Sequence, residues 1–139
     1  MNYFQVNVNY DRQTGEDNPG RVKEAYLVNT ATCGYAEKAV LDEIKPFIFG
    51  DCETPKIQKK SYFDLFKYSP DCDFYYEAKV EMITIDGERE YRKAVNILVL
   101  ANNIRDALNT LLSNLASYDC EVIGIKKTGI TDILTPQNN

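Results

Sequence analysis

The sequence predicts an α+β fold: a duplicated ββαβ unit with six strands, two helices and pseudo-twofold symmetry, the helices packed on an antiparallel sheet. Three observations lead to this prediction. Several segments alternate apolar and polar residues, which is typical of strands, and two segments carry apolar residues at helical spacing. The order strand, strand, helix, strand occurs twice along the 139 residues.

The first half begins with an alternating segment from Phe4 to Tyr10, a half-buried strand. A polar loop rich in turn-forming residues follows at Asp11–Gly20. The next strand is predicted at about Val22–Thr30, and a helix then begins at Thr32, whose hydroxyl can cap it. That helix ends close before Pro46, because proline cannot continue a helix interior.

After a turn near Gly50, the first half ends in a third strand over Lys56–Phe66, and a linker follows. The second half starts with alternation around Tyr76–Met82. Asp86 and Gly87 then form a strong hairpin signal.

A well-buried strand is predicted over Ala94–Ala101 and a last strand over Val122–Leu134. Between them Asn103 can cap the second helix, with Asp106 completing a capping box. The apolar stripe of this helix comprises Ile104, Ala107, Leu108, Leu111, Leu112, Leu115 and Ala116.

An ungapped alignment of Asp51–Phe66 with Asp119–Leu134 supports the duplication. Six of the sixteen positions are identical, where random pairing gives about one. The identical pairs are Asp51/Asp119, Cys52/Cys120, Glu53/Glu121, Ile57/Ile125, Lys59/Lys127 and Asp64/Asp132.

Matching residues of the two halves differ in residue number by a nearly constant offset. The offset is 72 in the first strand, 71 in the second strand and the helix, and 68 after the helix. The sequence therefore predicts a single domain over 1–139, an internal repeat of 1–70 and 71–134, and a loose tail at 135–139.

Composition restricts the setting of the protein. The net charge of -5 opposes a general nucleic-acid binder, because phosphate binding depends on Lys and Arg. The N-terminal segment lacks the basic start and apolar stretch of a signal peptide, and no apolar run approaches the roughly 20 residues that span a bilayer. We therefore expect a cytoplasmic protein without membrane contact, whose four cysteines are reduced thiols.

The chain contains no histidine, which removes Ser-His-Asp and Cys-His catalysis and the commonest zinc ligand. It also lacks a P-loop motif and a GxGxxG motif after a strand. These observations favour a protein that is not an enzyme and needs no cofactor.

Lysines and an aromatic residue on the strands after the helices suggest a nucleic-acid site, in which cations contact phosphates and rings stack on bases. The candidate residues are Lys56, Lys59, Lys60, Lys126, Lys127 and Tyr62. The alternative is a lysine-lined solvent face or an edge strand protected from aggregation, and the acidic total charge favours it.

Cys52 and Cys120 lie at equivalent repeat positions in Asp-Cys-Glu turns. We expect small apolar residues under each turn, with a shared thiol or metal site as a remote alternative. The neighbouring carboxylates, Asp51 with Glu53 and Asp119 with Glu121, could bind a divalent ion, although solvated turn acids are the simpler interpretation. We therefore predict no metal site.

A set of spaced residues covers nearly the whole chain: Asn2-Tyr3-Phe4, Tyr26-Leu27-Val28, Ala39, Asp42-Glu43-Ile44, Pro46-Phe47-Ile48, Gly50, Phe63-Asp64-Leu65-Phe66, Val99 and Arg105-Asp106-Ala107. In these residues the chain resembles an uncharacterised family of small cytosolic proteins. Members of that family occur in Bacteroidetes and in the tailed, crAss-like phages that infect them. The resemblance implies a bacterial cytoplasm, or the host cytoplasm for a phage protein, and it supplies no catalytic residues.

These arguments predict a small non-enzymatic binding or accessory protein that acts through contacts with a protein partner or with itself as a homodimer. The alternative is a nucleic-acid or nucleotide-binding protein of a phage replication module, whose partner is single-stranded nucleic acid or a nucleotide.

Overall fold

The computed structural model describes residues 1–12 and 20–136, and in these ranges the chain is an α+β protein with two α-helices and nine strands in two mixed sheets. The strands are β1 (Asn2–Arg12), β2 (Gly20–Val28), β3 (Ile48–Cys52), β4 (Lys56–Ser61), β5 (Asp64–Lys67), β6 (Phe74–Asp86), β7 (Arg89–Ala101), β8 (Cys120–Lys127) and β9 (Ile130–Leu134). The helices are α1 (Cys33–Ile44) and α2 (Ile104–Asn114). Most of the predicted polar loop (13–19) and the end of the predicted loose tail (137–139) lie outside the described residues.

The chain divides into two compact units, each with one helix and one sheet. The α1 unit consists of Asn2–Lys60 and Gly129–Asn139, and the α2 unit consists of Met1 and Ser61–Thr128. The sheet of the α1 unit has the order β3-β1-β2-β9, and β4 also pairs with β1. The sheet of the α2 unit has the order β5-β7-β6-β8.

In the α1 unit, the predicted alternation of β1 places its apolar side chains against α1. The helix begins after Thr32, whose Oγ1 accepts a hydrogen bond from the backbone N–H of Tyr35 at 3.3 Å, as predicted. It ends at Ile44, and Pro46 lies in the 3-10 turn that follows. The core consists of Val6, Val8, Tyr10, Tyr26, Val28, Ala36, Val40 and Ile44.

The α2 unit is built in the same way. Asn103 caps α2 by accepting a hydrogen bond from the Asp106 backbone N–H at 2.8 Å, and its side-chain amide donates back to the Asp106 carboxylate at 3.0 Å. Gly87 adopts a φ of 65° at the tip of the β6–β7 hairpin, a conformation that favours glycine. The core consists of Tyr76, Ala78, Val80, Ile97, Val99, Ala101, Ala107, Leu111 and Leu115.

The predicted total of six strands is wrong, because the described residues form nine. The segment predicted as one strand over Lys56–Phe66 is two strands, β4 and β5, and the one predicted over Val122–Leu134 is β8 and β9. β4 pairs with β1, whereas β5 pairs with β7, so the chain passes from one sheet to the other between them. Between β4 and β5 the chain has Tyr62 and Phe63, which favour strands, so the sequence shows no boundary there. Between β8 and β9, Gly129 is a local signal of the break. The ninth strand, β3, follows α1 where the sequence predicts a turn.

The prediction of an antiparallel sheet is also wrong. β5 runs parallel to β7 in one unit, and β9 runs parallel to β2 in the other. Each sheet is mixed because one of its edge strands, β5 or β9, comes from the other half of the sequence and runs parallel to the strand it pairs with.

The two halves have corresponding strand registers. Phe4 pairs with Val28 in the α1 unit, and Tyr76 pairs with Val99 in the α2 unit. These pairs are related by the offsets of 72 and 71 seen in the sequence. Side chains at these offsets therefore occupy matching positions in the two sheets.

Candidate functional site

The residues predicted to bind nucleic acid are divided between the two units. Lys56, Lys59 and Lys60 lie on β4 in the α1 unit, whereas Tyr62, Lys126 and Lys127 belong to the α2 unit. Adjacent residues on a strand point to opposite faces, so Lys59 and Lys60 do not share a face. Tyr62 is 3% exposed and therefore offers no open ring face to a base.

The two lysines of β8 already have partners. Lys126 lies 3.8 Å from the Glu77 carboxylate, and the Lys127 ammonium lies 3.6 Å from the centre of the Phe74 ring. Their positions on opposite faces of β8 follow from the pairing of Lys126 with Glu77 and of Lys127 with Tyr76. Within each unit, the geometry separates the adjacent lysines instead of collecting them on one surface.

Cys52 and Cys120 end β3 and begin β8, in different units, and both are half-buried free thiols. Cys52 Sγ donates to the backbone oxygen of Glu53 at 3.6 Å. Over residues 1–12 and 20–136, no group of three or more cysteine or acidic side chains is arranged to hold a metal ion.

An arginine that the sequence analysis did not single out organises the acidic turn of the α1 unit. Arg21 donates from Nε to Asn9 Oδ1 at 2.7 Å and contacts the carboxylates of Asp11 at 3.1 Å and Glu53 at 2.9 Å. The carboxylate of Asp51 lies 3.7 Å from Nη1 of Arg21. The hydrogen bond to Asp11, with the neighbouring carboxylates, raises the pKa of Arg21 above its ordinary value.

Arg92 makes the matching cluster in the α2 unit. Its guanidinium contacts Glu121 at 2.7 Å, Glu81 at 3.1 Å and Glu90 at 3.4 Å. Hydrogen bonds to Glu121 and then Glu81 are the main reasons why the pKa of Arg92 is raised.

The two clusters correspond at the repeat offsets: Arg21 matches Arg92 at 71, and Glu53 matches Glu121 at 68. Of the turn acids that could bind a divalent ion, Asp51 and Glu53 are therefore paired with Arg21, and Glu121 is paired with Arg92. The sequence contained a signal for the matching clusters. Arg21 and Arg92 are separated by 71 residues, which is the offset between the second strands of the two halves.

A second polar cluster lies at the edge of the α1 core. The hydroxyls of Tyr10 and Tyr26 both donate to Glu24, and Arg12 contacts the other carboxylate oxygen at 3.4 Å. Burial, followed by the bond to Glu24, raises the pKa of Tyr10 to about 12. Burial and the Glu24 charge likewise raise the pKa of Tyr26.

A pocket of about 390 Å³ opens in the α1 unit, among β1, β2 and the segment between β3 and β4. This volume is within the range of pockets that hold small molecules, about 300 to 1,000 Å³. Seven of its ten lining residues are of polar or charged type. The lining consists of Asn7, Val8, Asn9, Lys23, Glu24, Ala25, Glu53, Thr54, Lys56 and Gly129.

The far end of the β6–β7 hairpin forms a two-stranded ribbon. β8 pairs with β6 only as far as Met82, with one further backbone bond at Ile83. β5 pairs with β7 from Ile97 onward, with one further bond at Asn96. In the part of the chain that the structure describes, residues 89–95 of β7 therefore have β6 as their single strand neighbour. We call this segment the open edge of β7.

Comparison with known proteins gives one family match. The model of the family described as a domain of unknown function, DUF4494, matches residues 2–137. The chain belongs to this family. No curated protein matches the chain, and no solved structure does. The description of DUF4494 names no activity, which leaves the two sheets and their side chains as the basis for a functional proposal.

None of the helices in the described ranges of this DUF4494 chain has the length and apolar character needed to cross a membrane.

Proposed function

We propose that this chain is a non-enzymatic binding protein that holds a partner protein at the open edge of β7. The observation that carries the proposal is the length of the open edge, which covers residues 89–95. Over this length β6 and β7 form a two-stranded ribbon that continues beyond the ends of β5 and β8. An edge strand presents unpaired backbone N–H and C=O groups, which an extended segment of a partner can bind by adding a strand.

Two exposed apolar side chains on the ribbon supply contact area for such a partner. Ile85 is 67% exposed and Tyr91 is 50% exposed. Ile85 pairs with Glu90 and Thr84 pairs with Tyr91, so the two apolar side chains lie on opposite faces of the ribbon. Tyr91 lies on β7 itself and is therefore the anchor beside an added strand, and tyrosine is a frequent anchor in protein interfaces. Ile85 lies on β6, one strand further away, and adds apolar area on the opposite face of the ribbon.

The charged residues of the edge make this pairing selective. Arg89, Glu90 and Lys93 are exposed, and charged side chains discourage indiscriminate strand pairing. A partner must then offer complementary charges, which is how specific interfaces exclude wrong partners.

Photo-crosslinking in the native cell tests the proposal. A photoreactive phenylalanine analogue at position 91 or 85 is expected to form the same protein adduct. Tyr68 provides a matched control position, because it lies in the same unit and is 58% exposed. An adduct that forms equally at position 68, or none at 91 and 85, contradicts the proposal.

With the crosslinked partner purified, Tyr91→Asp is expected to weaken binding by about tenfold or more, since it places a charge at the anchor. Tyr68→Asp should change the affinity by less than about twofold. If the adduct is a second copy of the chain, sedimentation should show a dimer that Tyr91→Asp dissociates.

Two further inferences concern origin and setting. We infer that the halves arose by duplication of a ββαβ-like unit, because their strand registers and their arginine clusters correspond. We also propose that the protein acts in the cytoplasm of a bacterium or of a phage-infected host, an interpretation supported by the family resemblance.

The alternative function, binding of single-stranded nucleic acid through the β4 and β8 lysines, has weaker support because adjacent lysines point to opposite faces. It predicts salt-sensitive binding to a short oligonucleotide that Lys59→Glu and Lys127→Glu both reduce. Fluorescence anisotropy at two salt concentrations measures this binding.

A further inference from the structure

We propose that the pocket of the α1 unit binds a small molecule that carries a dianionic group, either a phosphate monoester or a dicarboxylate. The pocket is large enough for such a molecule, at about 390 Å³. This site is separate from the open edge of β7 and rests on different residues.

The charges of the lining leave two cations without partners. The Glu24 carboxylate accepts hydrogen bonds from Tyr10 and Tyr26, and Glu53 is paired with Arg21 at 2.9 Å. The other two charged lining residues, Lys23 and Lys56, are exposed and make no ion pair with any described residue. The lining contains two lysines and two glutamates, so its formal charges balance. Among the described residues, both carboxylates are engaged and both ammonium groups are not, so the charged groups left for a ligand are cationic.

The neutral polar groups of the lining also favour an anion. Asn9 Oδ1 accepts a hydrogen bond from Arg21 Nε at 2.7 Å, and Asn7 Oδ1 accepts one from the Gln5 side-chain amide at 3.0 Å. With both amide oxygens engaged, the amide NH₂ groups are left as donors. The Thr54 hydroxyl adds a further donor, and donor-rich sites with ammonium groups bind phosphate and carboxylate.

Comparison of the two units indicates that the pocket lysines are not needed to build the sheet. At the repeat offsets, Lys23 corresponds to Ala94 and Lys56 corresponds to Gly124. The Arg21–Glu53 pair, by contrast, is matched by Arg92 and Glu121 at almost the same distance. The feature common to both sheets is thus the arginine cluster, whereas the two lysines are particular to the unit with the pocket.

Nuclear magnetic resonance titration of the full chain tests the proposal with three probes: inorganic phosphate, ribose 5-phosphate and succinate. Saturable shifts of the Thr54 and Gly129 amide signals are expected with the phosphates, with succinate, or with both. Shifts with the phosphates alone assign a phosphate ligand, and shifts with succinate alone assign a dicarboxylate.

Lys23→Met and Lys56→Met should each weaken binding of the active probe by about tenfold, because each removes one cation close to the anion. Lys38→Met is the matched control, since Lys38 is exposed on α1 in the same unit and is not part of the lining. A preserved pattern of amide signals establishes that each variant folds. Non-saturating shifts, shifts spread over the whole surface, or equal weakening by Lys38→Met would overturn the proposal.

Discussion

Arg92 lies at the centre of three glutamates on an exposed surface of the α2 unit. Its removal would leave these carboxylates close together without a counter-charge, and salt screens exposed charges strongly. We therefore expect Arg92→Met to lower the thermal midpoint at low ionic strength, with the difference shrinking as salt is added.

Differential scanning calorimetry at two salt concentrations measures this effect. Arg89→Met serves as the control, because Arg89 is an exposed arginine of the same strand that makes no ion pair with a described residue. A loss of stability that is independent of salt would show that Arg92 acts through packing instead of charge.

The tyrosine pair around Glu24 predicts a dependence of stability on alkaline pH. The folded protein holds the pKa of Tyr10 at about 12, while an unfolded chain has the ordinary value of 10.0. A raised folded pKa stabilises the protein fully below pH 10, and this contribution is lost as the pH rises from about 10 to about 12. Tyr26 contributes in the same direction, since its pKa is also raised.

Tyr10→Phe should therefore flatten the fall in the free energy of unfolding over this range of pH, as measured by urea denaturation. Tyr35→Phe is the control, because Tyr35 is 60% exposed. Equal slopes for the wild type and Tyr10→Phe would contradict the assignment.

At the scale of single residues, the sequence predicts features that depend on near neighbours. The sequence identifies Thr32 and Asn103 as caps because each capping bond spans only three residues. The arginine clusters were not identified because their partners lie far away in the chain: Arg92 and Glu121 are brought together by strand pairing, not by local sequence.

Among the elements, α2 shows both the strength and the limit of a periodic pattern. The predicted stripe correctly includes Leu111 and Leu115, which are buried. It also includes Ile104 and Leu112, which are 53% and 49% exposed. Apolar character alone cannot distinguish the centre of a helix face from its margin, where side chains remain partly in water.

The cap of α2 gives a prediction at this scale. Asn103→Ala removes the acceptor for the Asp106 backbone N–H and should lower the free energy of unfolding by about 1 kcal/mol. Asn109→Ala is the matched control on the exposed face of the same helix, and it should be neutral or slightly stabilising because alanine favours helix. Chemical denaturation measures both, and equal effects would argue against the capping role.

Strand positions were predicted better than strand partners. The segments that form β1, β2, β6 and β7 follow from period-two alternation and from the hairpin signal at Asp86 and Gly87. The break before β5 could not be predicted, because Tyr62 and Phe63 keep the β-forming character of the strand. Before β9, Gly129 is a local signal of a break, but a single glycine does not show that the chain changes its sheet. Pairing is a property of distant segments that periodicity does not record.

At the scale of the whole molecule, neither half of the sequence contains a complete sheet. The α1 unit takes β9 from the end of the chain, and the α2 unit takes β5 from the first half. A fragment of residues 1–70 lacks β9 and should leave the β2 edge open, so we expect it to be unfolded or self-associated.

Mixing fragments 1–70 and 71–139 should restore the native far-ultraviolet circular dichroism spectrum, because each supplies the strand that the other lacks. Size-exclusion chromatography of the separate fragments completes the test. A 1–70 fragment that is monomeric and folded by itself would show that β9 is dispensable.

The exchange of β5 and β9 also sets an order of events during synthesis. The ribosome releases β1 and β2 before the other strands of the described residues, yet β9, which completes their sheet, follows all of them in the chain. The nascent chain must therefore carry an incomplete α1-unit sheet until β9 has been synthesised, whereas β5 has already been synthesised when β7 emerges. Synthesis of the α1-unit sheet begins before that of the α2-unit sheet and is completed after it. Until β9 pairs with β2, the unpaired edge of β2 is the surface that chaperones would need to protect.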